Sequence, residues 1–270
     1  MLRASAAAAL ILLLPAGAWA QESDEKPRKR DILVTIGAGV QAYPRFPGSE
    51  DLRLAPLPNF SFRKAGDPIG FEAPDEGTGF ALIGKKGGFQ VGPAIQLQNK
   101  RKETDVGAAV GNVGFTIEAG AFVQVYLGDN LRVRAEGRRG LGGHKGWVGD
   151  LGVDLIGRPS DSTVMSIGPR VRLANRRYQR AYFGVAPPVA ALTGLAPHDP
   201  DPGVRAVGIV AGLTHQFNRS WGIYAYAGYD RLVGDAGNSP IVRTFGSRSQ
   251  PSGGVALTYT FKVRRGRKSD

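Results

Sequence analysis

The feature that most narrows what this chain can become is an alternation of apolar and polar side chains, repeated along most of its length. Ile32, Val34, Ile36, Ala38 and Val40 fall on one face of a strand, and Thr35, Gly37, Gly39 and Gln41 on the other, with Leu33 the exception. Ile117, Ala119, Ala121, Val123, Val125 and Leu127 alternate with Glu118, Gly120, Gln124 and Tyr126. Leu131, Val133 and Ala135 alternate with Arg132, Arg134 and Glu136, and the same period runs through 162–173, 206–214 and 254–261. A period of two sends successive side chains to opposite faces of a sheet, whereas a helix would need a period near 3.6.

Two architectures alternate in this way. A soluble antiparallel barrel or sandwich turns its apolar face inward. A membrane barrel turns that face to lipid and keeps glycine, small polar residues and paired charges for its lumen. Run length separates them: several runs reach the ~9–11 residues that a tilted strand needs to cross a bilayer, against ~5–6 for an ordinary soluble strand. The expected fold is all-β, an antiparallel transmembrane β-barrel of about twelve strands over 31–261. Gly128-Asp129-Asn130 and 216–220 read as tight periplasmic hairpins, and 192–203 and 233–252 as longer surface loops. Trp147, Tyr182, Phe183, Trp221, Tyr224, Tyr229 and Tyr259 lie near strand ends, where aromatic girdles form.

The start of the chain fits export. Arg3 is followed by an apolar run from Ala6 to Leu14, broken at Pro15 and Gly17. Ala18-Trp19-Ala20 then offers small residues at the positions a signal peptidase reads, so 1–20 is expected to be a cleaved signal peptide. The apolar run is well short of the ~20 residues of a spanning helix. Residues 21–30 are highly charged and read as a disordered periplasmic lead-in. An exported chain with 0 cysteines has no disulfide framework, so burial, backbone pairing or a membrane must stabilise it.

A net charge of +12 raises the question of nucleic acid. The export signal and the dispersal of the basic residues argue against that partner. Outer-membrane lipid and lipopolysaccharide phosphate are the expected anionic partners instead. Some of the charge falls on the polar faces of strands. Arg132, Arg134, Glu136, Arg138, Arg170 and Arg172 are expected in the lumen, where they either pair and plug it or line an anion-selective pore.

Little here points to catalysis. An acyl hydrolase of this architecture would need a serine and a histidine in hydrogen-bond reach. His144 lies in a glycine-rich segment with Glu136 and Asp150 nearby, and Ser162 or Ser166 would have to come from another strand. His198 beside Asp199 and Asp201 falls short of a metal signature, and His215 lies on the lipid-side register. No cofactor, metal or catalytic residue is assigned.

Ordered short motifs carry a resemblance. Tyr43-Pro44-Arg45-Phe46-Pro47-Gly48-Ser49-Glu50-Asp51 is followed by Leu57-Pro58-Asn59, Gly92-Pro93 and Gly143-His144-Lys145-Gly146. Then come Tyr178, Tyr182-Phe183-Gly184-Val185, 232–236, Ser239-Pro240-Ile241-Val242 and the closing Tyr259-Thr260-Phe261. This set resembles the MipA/OmpV family over essentially the whole mature chain. The resemblance implies an outer-membrane β-barrel. It also implies a scaffold that brings a lytic transglycosylase and a penicillin-binding protein together in peptidoglycan growth, a narrow porin being the alternative and a lipid-modifying enzyme a further one. The chain departs from the family in continuing past Phe261 with a basic tail, 262–270, which reads as a solvated charge run.

Overall fold

The computed structural model describes residues 31–263; the expected signal peptide, 1–20, the expected lead-in, 21–30, and most of the basic tail fall outside them. Among the described residues thirteen strands form one antiparallel sheet. They are β1 Ile32–Pro44, β2 Leu52–Pro56, β3 Asn59–Lys64, β4 Thr78–Gly79, β5 Ile83–Gly84, β6 Phe89–Gln98, β7 Thr116–Leu127, β8 Leu131–Gly142, β9 Trp147–Ser160, β10 Thr163–Ala174, β11 Gly203–Gln216, β12 Trp221–Leu232 and β13 Ser249–Val263. From β6 to β13 each strand pairs with the next, and β13 then pairs with β1, Ile32 opposite Val263. The sheet curls until its first and last long strands meet. Lys262 and Val263, expected in the tail, are part of this closing ladder.

The count is thirteen, against about twelve expected, because two of the sheet's eleven strand positions are each broken into two pieces. Leu57-Pro58 divides β2 from β3, and both halves pair with β1. The short β4 and β5 likewise share β6. Proline lacks the N–H that a ladder needs, so it favours edges and interruptions. Among the described residues no ladder joins β2 and β3 to β4 and β5, and this leaves a seam in the wall.

Which face turns out decides the architecture. Ile36, Val40, Leu54, Phe62, Val123, Leu155, Met165, Ile167, Ile209, Val255 and Leu257 are exposed on the outside, while Arg132, Arg134, Thr258 and Thr260 are buried within. The sheet is therefore inside-out relative to a soluble barrel, with its apolar band facing the acyl chains. No helix of the described residues is long and apolar enough to cross a membrane, so the strands do the crossing.

The two ends differ. Four tight turns, after β5, β7, β9 and β11, lie at the end where β1 begins and β13 finishes. The longer connections lie at the other end: 45–51, 99–115, 143–146, 175–202 and 233–248. These carry α1 Glu103–Val106, α2 Arg176–Phe183, α3 Pro187–Thr193, α4 Gly234–Asn238 and α5 Pro240–Phe245. Short turns face the periplasm in outer-membrane barrels and long loops face outward, so the helices cap the outer mouth. The aromatic expectation divides accordingly. Trp147 and Tyr229 face out near the outer rim, and Trp221 packs edge-on against Tyr259 near the inner rim. Tyr182 and Phe183 are buried inside the cap, and Tyr224 shares the lumen face with its register partner Ala256; neither place is a girdle.

Candidate functional site

The lumen is filled in layers. Arg132, Arg134, Glu136, Arg138, Arg170 and Arg172 all point into it and are buried, so the alternation placed their side chains on the interior. Cross-strand carboxylates meet them. Arg132 Nη2 lies 2.6 Å from Asp154 Oδ2, and Arg170 Nη2 lies 2.7 Å from Asp154 Oδ1. Arg138 bonds Glu118, Glu136 and Asp150, and Arg172 bonds Asp150 and Asp230. Burying charge is costly unless it is paired and hydrogen-bonded, and each of these arginines shares two or more carboxylates.

The segment 65–77, between β3 and β4, supplies the remaining counter-charges from inside the lumen. Asp75 grips Arg170 with both oxygens, at 2.9 and 3.1 Å, and takes a 2.8 Å bond from Arg172. Glu76 pairs with Arg132 and approaches Arg134 Nε at 3.6 Å. Below them Ile69 and Phe71 pack on Ile156, Val164 and Tyr126. The Phe71 ring also lies under the Arg132 guanidinium at 4.7 Å, and Arg158 donates to the Ile69 carbonyl at 2.7 Å. The segment is held at both ends of its path and obstructs the barrel.

Asp75 and Glu76 escaped the sequence reading because they lie on no alternating run. One signal was available: the polar faces read from the alternation carry five arginines against two glutamates, Glu118 and Glu136, an imbalance that a low-dielectric interior cannot hold without acids from elsewhere.

Above the segment lies a polar chamber of about 380 Å3. Its wall includes Gln41 and Tyr43 from β1, Gln96 and Gln98 from β6, and Arg138, Arg172, Arg205 and Asp230 from the far side. Leu97, a lipid-facing side chain 63% exposed, also lines it. Residues 96–98, on this wall of the chamber, have no ladder partner on the seam side.

The family-motif residues Pro44, Gly48, Ser49, Gly143, His144, Gly146, Tyr182, Phe183, Gly184, Ser239 and Pro240 converge on the outer mouth and knit the cap. Gly48 adopts φ +93°, and a Cβ there would lie 2.9 Å from Val242 Cγ2, so both conformation and space select glycine. Its N–H donates to Gln250 Oε1 at 2.9 Å, and Gln250 Nε2 returns a bond to the Ser49 carbonyl at 3.1 Å. Ser239 Oγ donates to the Phe183 carbonyl at 2.7 Å, joining α5 to α2. Asn175 caps α2 by accepting from Tyr178 N, and Pro240 opens α5 at a position where its missing N–H costs nothing. Gly184 terminates α2 with its N–H on the Arg180 carbonyl.

His144 is part of this packing. Its Nδ1 accepts from Gly146 N at 3.0 Å, so Nε2 carries the hydrogen and donates to Glu118 Oε1, also at 3.0 Å. Its ring stands edge-on to Tyr178 at 4.8 Å. Burial pushes the Tyr178 phenol up to about 12 and raises that of Tyr182 as well, so both stay uncharged hydroxyls. The structure does not bring the proposed serines to this histidine. Ser162 lies in the turn at the opposite end, where it bonds Ser160 at 3.0 Å, and Ser166 lies on the lumen face near Gly212. His198, Asp199 and Asp201 also diverge. His198 Nε2 bonds the Asp235 carbonyl, Asp199 pairs with Arg180, and Asp201 with Arg176. His215 bonds Thr163 Oγ1 at 2.8 Å and packs edge-on to Phe217 near the inner rim.

A strongly curled antiparallel sheet with an outward apolar band, a charged lumen and one helix-capped mouth is an outer-membrane β-barrel protein. The chain matches the family model described as MltA-interacting protein MipA over residues 36–261, and it belongs to that family. No curated protein matches. Among solved structures it is similar to an outer membrane channel from Pseudomonas putida F1, at 8% identity and TM-score 0.40, covering 90% of this chain and 99% of that one. It is also similar to the translocator domain of the autotransporter NalP from Neisseria meningitidis, at 15% identity and TM-score 0.38, covering 87% and 90%. The β-barrel domain of Pseudomonas aeruginosa OprF gives 12% identity and TM-score 0.28, covering 65% and 98%.

Proposed function

We propose that this protein is a non-enzymatic outer-membrane barrel that is closed to free diffusion at rest and works by contact, as a scaffold for murein-synthesising and murein-cleaving enzymes. The observation that carries the closed state is the occupation of the lumen by 65–77, anchored through Asp75 and Glu76 to Arg132, Arg170 and Arg172. An open pore needs a water-filled path, and here ion pairs and the Ile69–Phe71 cluster stand in it. The contact role is supported by the family's description as a protein that interacts with MltA. A lytic transglycosylase and a penicillin-binding protein are the partners in this reading, and they meet the tight-turn end, which faces the periplasm.

The experiment has two arms. Purified barrel in planar bilayers is expected to give no stable channel, and barrel immobilised by its outer loops is expected to retain a lytic transglycosylase of the MltA type. A steady open conductance would replace the closed scaffold with the second reading, a passive transporter, which the 380 Å3 chamber favours.

A further inference from the structure

The chamber contains one arginine that the ion-pair network does not use. Of the arginines on its wall, Arg45 pairs with Asp105, Arg138 with three carboxylates and Arg172 with three. Arg205 pairs with none among the described residues, and its buried Nε has no acceptor. Its guanidinium instead rests over the Tyr178 ring at 5.1 Å. Arg205 lines the chamber, and a guanidinium held over a ring keeps its N–H edge available to an acceptor.

The backbone places it there by a local irregularity. The β10–β11 register runs Arg172 opposite Ala206 and then Leu173 opposite Val204, so Arg205 is the extra residue of a β-bulge. Without the bulge, Arg205 and Ala206 would face opposite sides of the wall; with it, both line the chamber. A bulge disrupts its ladder, and a common reason for keeping one is to re-aim a side chain.

We infer that Arg205 anchors a binding site in the chamber for a small zwitterionic solute of amino-acid type. The solute's carboxylate sits on the Arg205 guanidinium and its ammonium on the acidic groups beside it. The charge of the wall selects the zwitterion. Four arginines and five carboxylates line the chamber, and Asp75 and Glu76 are also answered by Arg132, Arg134 and Arg170 behind it, so the wall is close to balanced and suits a solute with no net charge and a charged group at each end. Asp230, on the neighbouring strand β12, lines the chamber and is the acid with spare capacity: Oδ2 bonds Arg172 at 3.1 Å, and Oδ1 has no donor. The cavity is within the size range of small-molecule pockets.

The site does not depend on the scaffold reading, because a barrel can hold a solute whether or not it recruits enzymes. The test is calorimetric titration of the folded barrel at low ionic strength with three probes: alanine, propionate and propylamine. Alanine is expected to bind saturably, the two half-molecules more weakly, and Arg205→Gln to lose about tenfold or more of the alanine affinity. Absence of saturable alanine binding, propionate binding as tightly as alanine, or a folded Arg205→Gln variant with unchanged affinity would each overturn the inference. Heat-modifiable gel mobility establishes folding. If Arg205→Gln does not fold, Arg205→Lys carries the test, since a point charge loses the two-pronged grip and wild-type affinity there would equally sink the proposal.

Discussion

At the scale of single residues, the lumen arginines are the most sensitive positions. Arg132 is buried against Asp154 and Glu76, so Arg132→Met strips a cation from two buried carboxylates and leaves Asp154 to Arg170 and Glu76 to the more distant Arg134. Removing one partner of a buried pair costs about 3–5 kcal/mol, and urea unfolding from vesicles should register a loss of that order. The Asn175 cap is worth less: Asn175→Ala should cost about 1 kcal/mol, seen as a small fall in Tm with the barrel otherwise intact. Gly140 tests the cap from below. A Cβ there would come 2.7 Å from His144 Nδ1, and the ring is held at both nitrogens, so it cannot swing aside freely. Gly140→Ala should therefore lower stability by about 1–3 kcal/mol, checked by the same unfolding assay. The sequence made the arginines legible as interior groups because alternation fixes the face of every strand residue. It left their partners half-read, since Asp75 and Glu76 come from a segment without a period.

Among elements, the strands were the legible part and the irregular pieces were not. Ile36, Val40, Met165 and Ile167 face lipid as their register predicted, because a one-residue slip would bury every one of them. Ile209 sits midway along β11 on that same face, so Ile209→Arg should cost about 2–4 kcal/mol in refolding into vesicles, while Val204→Arg near the rim should cost about 0–1 kcal/mol. Equal costs at the two depths would contradict the membrane placement. The helices were missed for a physical reason. α2 spans only eight residues, too few to display a helical stripe, and it forms because Asn175 caps it and Tyr178, Tyr182 and Phe183 pack into the cap core. The same packing explains why Tyr182 and Phe183, read as girdle aromatics, are buried. For the segment 65–77 the expected outcome is functional: replacing it with a glycine-serine linker of equal length should convert a silent barrel into one with stable single-channel steps. A linker variant that remains silent would mean that the cap alone seals the barrel.

For the molecule as a whole, the order of strands around the wall separates two events that ordinary barrels combine. The chain's first and last long strands are joined by eleven consecutive register pairs from Ile32–Val263 to Ala42–Gly253, yet the wall's unladdered line lies elsewhere, between β2/β3 and β4/β5. Whole-chain amide exchange should follow that map, fast for Leu97 and Leu54 and slow for Val34 and Leu257; uniform protection would mean the seam is bonded in the membrane. The export signal and all but Lys262 and Val263 of the basic tail fall on residues outside the described structure, whereas the membrane assignment rests on which way the valines and isoleucines turn. Pulled apart from its ends, such a wall would hold where its termini are stitched together and tear instead down a line some sixty residues in. The hem of this garment is stronger than a dart sewn into its side.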